Sequence, residues 1–266
     1  MPNPNPIGIF DSGVGGISVL KEIRHLMPGE NLLYFADSAH CPYGVKPPEH
    51  IRRRTIKITQ FLINTGAKVI VAACNTASIA GLDYLRQHFQ VPIVGMEPAI
   101  KPAAHITRNG KIGVLATGVT INGDRFNSLL TRFANGIEVI NVPCPGLVEQ
   151  VELGLLDTPE TTALLRQFLN PLIINSVDTV VLGCTHYPFL RPLVESIMGP
   201  KVEVIDTGCA VAKRVHQILQ SEDLLANNTP RSGLEVFYTS GNVKQVEQTI
   251  RHLWDHPNIK VEYIKL

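Results

Sequence analysis

The chain has 266 residues, 44% hydrophobic and 18% charged, with 24 Lys plus Arg against 23 Asp plus Glu for a net charge of +1. That length suits one or two domains with a real core, and the balance excludes a disordered polymer and any electrostatic footprint for DNA, RNA or an anionic membrane. The five cysteines, Cys41, Cys74, Cys144, Cys184 and Cys209, are an odd count with no C-x-x-C pair, which rules out a disulfide scaffold and argues against a zinc ribbon.

In chain order, Met1-Pro2-Asn3-Pro4-Asn5-Pro6 has neither the basic nor the apolar part of a secretory leader. Residues 7–10 read as a buried strand. A helix over 17–27 follows, with Ile17, Leu20, Ile23 and Met27 at helical spacing and Pro28-Gly29 to stop it. A strand over 32–36 leads into a loop over 37–48 that carries Pro42, Gly44, Pro47 and Pro48. Next come a helix over 51–63, a strand over 68–73, a helix over 76–88 and a strand over 91–94. The alternation continues with strands at 112–115, 139–141, 179–182, 202–205, 236–238 and 259–263. Arg52-Arg53-Arg54 reads as a solvated helix face, since the total charge is balanced. The polar stretch 221–233 reads as a linker from a helix to a late strand. No apolar stretch approaches the ~18 residues of a membrane span, so a soluble cytoplasmic protein with reduced thiols is expected. Near-continuous apolar strands alternating with helices predict an α/β fold with parallel sheets covered on both faces.

The alternation contains a repeat. Ile7-Gly8-Ile9-Phe10-Asp11-Ser12-Gly13-Val14-Gly15 resembles Ile112-Gly113-Val114-Leu115-Ala116-Thr117-Gly118-Val119-Thr120, an offset of 105 residues. Val69-Ile70-Val71-Ala72-Ala73-Cys74-Asn75-Thr76 resembles Thr179-Val180-Val181-Leu182-Gly183-Cys184-Thr185-His186, an offset of 110. Two matches in order predict two similar parallel-sheet α/β lobes, related by pseudo-twofold symmetry. Ligands of such folds sit beyond the carboxyl ends of strands, so each lobe should present its cysteine to a shared cleft.

Cys74 and Cys184 each end a strand, and polar capping residues follow. A helix N-terminus beside a cysteine favours the thiolate. Two opposed thiols could invert a stereocentre, one removing a proton from one face while the other returns one to the opposite face. Asp11 and His186 are the candidate assistants, although Asp11 could simply cap the next helix and His186 could bond to backbone. Gly13, Gly15 and Gly16 form no G-x-G-x-x-G or P-loop pattern and read as a tight turn whose N–H groups can hold a carboxylate. Ser12, Asn75, Thr76, Thr117, Thr120 and Thr185 suit a small zwitterion, and Tyr43 sits on a loop that could close the cleft. No residues stand at metal-ligand spacing, because Cys184-Thr185-His186 and His40-Cys41 are isolated pairs. Cys41, Cys144 and Cys209 are left as bystanders.

Four motifs, Asp11-Ser12-Gly13-Val14-Gly15-Gly16, Pro42-Tyr43-Gly44, Ala73-Cys74-Asn75-Thr76-Ala77 and Gly183-Cys184-Thr185-His186-Tyr187-Pro188, together resemble the glutamate racemases of the aspartate/glutamate racemase superfamily. The resemblance implies a cofactor-independent enzyme that makes D-glutamate for peptidoglycan, and no metal is expected from the residue spacing. Under it, Cys74 takes the proton from D-glutamate with help from Asp11. Cys184 takes it from L-glutamate with help from His186 and the Glu of the family's V-E stretch, here Glu152. Glu149, where many relatives have proline, is the competing acid. Substrate binding would fall to Ser12, Pro42, Tyr43, Gly44, Asn75, Thr76, Thr117, Thr120 and Thr185, with His186 beside them. The family architecture further implies that the C-terminal part returns to the first lobe. The lobes would then be residues 1–97 plus 209–266 on the Cys74 side and 98–208 on the Cys184 side. A homodimer is expected, with L- or D-glutamate as its small-molecule partner. The rival readings are a racemase for aspartate or another amino acid, a Cys-His hydrolase using Cys184 and His186, and a two-lobed binding protein.

Overall fold

A computed structural model describes residues 3–226 and 233–266. Met1 and Pro2, and residues 227–232 of the expected linker, lie outside the described residues. The chain runs β1 (Ile7–Asp11), α1 (Ile17–Leu26), β2 (Leu32–Ala36), α2 (Pro48–Asn64), β3 (Val69–Ala72), α3 (Asn75–His88), β4 (Ile93–Val94) and α4 (Ile100–Ile106). It continues with β5 (Lys111–Ala116), α5 (Gly118–Ile121), α6 (Asp124–Phe133), β6 (Glu138–Pro143), α7 (Leu147–Glu152), α8 (Pro159–Ile174) and β7 (Thr179–Leu182). The last elements are α9 (Arg191–Met198), β8 (Glu203–Ile205), α10 (Gly208–Ser221), β9 (Glu235–Thr239), α11 (Val243–Trp254) and β10 (Val261–Tyr263).

Two sheets result, of order β10-β9-β2-β1-β3-β4 and β6-β5-β7-β8. Every described pairing is parallel. The apolar runs are long enough to be buried on both faces, and all residues of β1, β2, β3 and β7 are buried. The repeat is visible in the register. Ile7 pairs with Val69 across β1 and β3, and Ile112 pairs with Thr179 across β5 and β7. These are the same positions that the sequence repeat aligns. The sheets therefore share one pattern, β2-β1-β3-β4 against β6-β5-β7-β8.

The C-terminal strands break the symmetry. β9 pairs with the outer edge of β2, with Leu32 opposite Glu235, and β10 extends the sheet beyond it. α10 packs on α1. Helix starts follow local chemistry: Thr117, Thr158 and Asn242 each accept a hydrogen bond from a backbone N–H in the first turn of α5, α8 and α11. α2 begins three residues earlier than its apolar pattern suggests, because Pro48 at the first helical position has no N–H to lose. The expected loop over 37–48 holds two short 3-10 turns, Ser38–His40 and Tyr43–Val45. Among the described residues, no helix is long and apolar enough to cross a membrane.

Candidate active site

The carboxyl ends of β1, β3, β5 and β7 converge on one buried polar cluster. Cys74 stands at the N-cap of α3, two residues after β3, whereas Cys184, two residues after β7, leads into a turn and a short 3-10 segment (Tyr187–Leu190), so the helix N-terminus expected there is not found. Both are nearly closed off, at 5% and 8% exposure.

Each thiol has its own partner. Asp11, fully buried at the end of β1, accepts from Gly16 N–H at 2.8 Å and meets Cys74 through Ser12, whose hydroxyl lies 3.3 Å from Asp11 Oδ1 and 3.9 Å from Cys74 Sγ. Thr185 Oγ1 reaches the same carboxylate at 3.4 Å from the other lobe. On the second side, Cys184 Sγ lies 3.7 Å from His186 Nδ1. His186 Nε2 in turn lies 2.6 Å from Glu152 Oε1, at the end of α7. The competing acid, Glu149, is not in this contact. It lies one helical turn back and lines a neighbouring cavity of about 290 Å³ with Glu152, Cys41 and Pro42.

The glycine-rich turn after β1 does hold carboxylates, but they belong to the protein. Val14 N–H donates to Glu152 Oε1 at 2.6 Å, and Gly16 N–H donates to Asp11. One turn thus holds both carboxylates in place. Its glycines are needed for room: a β-carbon on Gly13 would overlap the Glu152 carboxyl, and one on Gly15 would overlap the His186 ring. Gly15→Ala should displace the imidazole and lower kcat by about tenfold or more, the scale of a misplaced acid–base group. Steady-state assays of the folded variant check this. Unchanged kcat would show that His186 need not hold its place.

Burial governs the Cys74 and Asp11 side of the cluster. Burial pushes the Cys74 thiol well above the usual thiol range, and the Asp11 charge adds to it. The thiolate expected from the helix N-terminus is therefore not the resting form of Cys74, because desolvation outweighs the backbone dipoles. Asp11 is itself raised by burial, against the pull of His186 and Cys74. At His186, burial alone favours the neutral ring, but hydrogen bonds to Cys184, Cys41 and Glu152 outweigh it and hold the imidazole well above its usual value. An imidazolium beside Cys184, anchored by Glu152, is suited to stabilise a thiolate there.

The remaining expected residues surround this core. Ser12 is buried, with its hydroxyl 3.9 Å from Cys74 Sγ. Thr76, Thr117 and Thr120 come from both lobes and bond to one another at 3.0 to 3.4 Å. Gly44 lies against Thr117, which brings the Pro42-Tyr43-Gly44 loop over the cleft. Asn75 is buried, and its Oδ1 has no hydrogen-bond partner among the described residues. An unpaired buried acceptor of this kind needs a donor, such as an ammonium group.

Tyr43 differs from expectation in what it can offer. Its ring is buried in the first-lobe core and its hydroxyl donates to Asp37 at 2.6 Å, so the loop offers a ligand its backbone. Asp37 also takes two hydrogen bonds from Arg54, at 2.7 and 2.9 Å, and one from Ser240. Arg54 thus leaves the solvated face expected for Arg52-Arg53-Arg54. Arg52 and Arg53 are exposed, whereas Arg54 is buried with Asp37. The buried acid that draws it in lies 17 positions away, out of reach of a local charge reading. Sequence reasoning also left Cys41 aside, yet its thiol lies beside His186 and Glu152. Neither contact has a local signal, because each is made across the fold.

Comparisons place this geometry among known proteins. Residues 8–215 match the family model described as Asp/Glu/Hydantoin racemase. A glutamate racemase of Ectopseudomonas mendocina is 50% identical over 246 residues, covering 92% of this chain and 93% of that protein. The crystal structure of glutamate racemase isoform RacE1 from Bacillus anthracis superposes with a TM-score of 0.87 at 34% identity, covering 98% of each chain. The Escherichia coli glutamate racemase, solved with L-glutamate and the activator UDP-MurNAc-ala, gives 0.85 at 32% identity over 98% of each chain. With paired strand-end thiols, a shared parallel-sheet fold and this similarity along nearly its whole length, the chain belongs to the Asp/Glu/hydantoin racemase family.

Proposed function

We propose that the chain interconverts L-glutamate and D-glutamate by two-base proton transfer without a cofactor, supplying D-glutamate for peptidoglycan. One observation carries the reading: two buried thiols at matched strand ends, each with a different ionisable partner. The chain divides on this reading into lobes 1–97 plus 209–266 and 98–208, each supplying one thiol. The relatives named glutamate racemase support the substrate.

In the L-to-D direction, Cys184 acts as base and His186, held by Glu152, stabilises its thiolate. Cys74 retains its proton at rest and delivers it to the opposite face, with Asp11 beside it. In the reverse direction the roles exchange. Ser12, Asn75, Thr76, Thr117, Thr120, Thr185 and the loop from Pro42 to Gly44 bind the zwitterion. The Cys-His hydrolase reading leaves unexplained why Cys74 has its own buried carboxylate.

Purified protein incubated with L-glutamate in D₂O, with no cofactor, should form D-glutamate and lose the Cα proton signal together. Chiral chromatography and proton NMR read the two outcomes. L-Aspartate should turn over far more slowly, because a site sized for the longer side chain misplaces the shorter one's carboxylate. No exchange on glutamate, or equal rates on the two amino acids, would defeat the assignment.

A further inference from the structure

Cys41 Sγ, a Glu152 carboxylate oxygen and a His186 ring nitrogen all lie within 4.8 Å of one another. They come from the loop after β2, the end of α7 and the turn after β7. No spacing rule on the sequence would collect them. The set is open to solvent on one side: Cys41 and Glu152 are half-buried and line the cavity of about 290 Å³, while His186 is buried. Glu149 lines the same cavity.

We propose that these residues form a binding site for a thiophilic divalent cation, with Zn²⁺ the best fit, and that the ion inhibits the enzyme. The donor chemistry selects the metal. One thiolate, one imidazole and one carboxylate are a zinc set, whereas Ca²⁺ and Mg²⁺ require oxygen donors throughout. The geometry requires little movement. Bonds of about 2.0 to 2.3 Å put ligand atoms of a tetrahedral ion about 3.3 to 3.6 Å apart, so the Cys41 side must close in and the Glu152–His186 contact must open slightly. Protons balance simply: the Cys41 thiol proton and the proton shared by His186 and Glu152 leave to solvent as three bonds to the ion form. Inhibition follows because the ion displaces the Nε2 proton and occupies the Glu152 carboxylate, so that Nδ1 presents Cys184 with a neutral ring in place of an imidazolium. This last step rests on the relay proposed above; the binding does not.

Cys41→Ser separates the possibilities, since Cys41 touches His186 but stands in none of the proposed proton transfers. The variant's own metal-free rate is the reference against which its inhibition is read. Its half-inhibiting Zn²⁺ concentration should rise at least about tenfold, the loss that even a change behind a metal ligand produces. Binding is read without activity by titrating Co²⁺ and following its thiolate charge-transfer absorption, present in the wild type and absent in Cys41→Ser. Cys41→Ala is the second variant, with circular dichroism to establish that each is folded. An unchanged inhibition midpoint, or a band that survives loss of Cys41, would place the ion on Cys74 or Cys184 and overturn the site. No band in the wild type would do the same. A Cys41-dependent band without inhibition would keep the site and overturn the inhibition.

Discussion

Cys74→Ser and Cys184→Ser should each lower racemisation roughly 10²- to 10⁴-fold, the range supplied by a positioned acid–base group. A serine hydroxyl in either place is too weak an acid to trade protons with Cα, and the partner thiol cannot reach the opposite face. The two changes therefore act alike on turnover, although the side chains have different neighbours. Because L- and D-glutamate have equal free energy, kcat/KM must also fall by one factor in both directions. The asymmetry of the site shows elsewhere. Asp11→Asn should enlarge the isotope effect for Cα-deuterated D-glutamate, whose deuteron goes to Cys74. His186→Asn should enlarge it for L-glutamate. Full activity in Cys74→Ser would point to the hydrolase reading, and matching isotope effects in the two assistants' variants would remove the division of roles.

Arg54→Met should destabilise the fold by about 3–5 kcal/mol, the cost of leaving a buried charge without its partner. The Arg54 and Asp37 side chains are 7% and 0% exposed, and the guanidinium also donates to the Leu266 carbonyl. Arg54→Lys should rescue little, since an ammonium cannot make the forked pair of bonds. Arg53→Met is the control: its pairing with Glu49 is exposed and worth less than about 1 kcal/mol. Urea denaturation ranks the three. The pair also sets an acid limit. Burial would raise Asp37, but hydrogen bonds from Arg54, Ser240 and Tyr43 outweigh it and lower it below the usual carboxyl value. A depressed carboxyl contributes stability that is full above its unfolded pKa of about 3.9 and is lost as pH falls through the folded value. Asp37→Asn should flatten that acid limb. Because Asp37 also holds Tyr43, Arg54→Met, Arg54→Lys and Asp37→Asn should raise KM for glutamate through the loop over the cleft, and Arg53→Met should not.

Much of this was legible in the residues, for reasons that differ by element. β1, β3, β5 and β7 are short apolar runs ending in polar residues, so their periodicity and the repeat reveal both sheets and the two thiols. Asp11 and His186 stand next to those strand ends and are found with them. Glu152 is different: nothing around α7 marks it, and only the family resemblance singled it out before the structure placed it on His186. Arg54 was misread as solvated, and the place of Cys41 beside His186 went unseen, because their partners lie far off in sequence. Desolvation of Cys74 was invisible for a related reason, since a helix terminus is a local feature and complete burial is not. The C-terminal return of β9 and β10 also has no local signal, because parallel pairing with β2 depends on what else is free to pair.

That return has a consequence for how the molecule assembles as it is made. The second sheet needs only residues 111–205, and once these have left the ribosome it can close. The first sheet cannot: the outer edge of β2 at Leu32 waits for Glu235, some two hundred residues later. During synthesis the earlier half of the chain therefore carries an unsatisfied strand edge while the later half is already complete. Closing so long a span is slow, so the Cys74 half should be the last to acquire protection from amide hydrogen exchange.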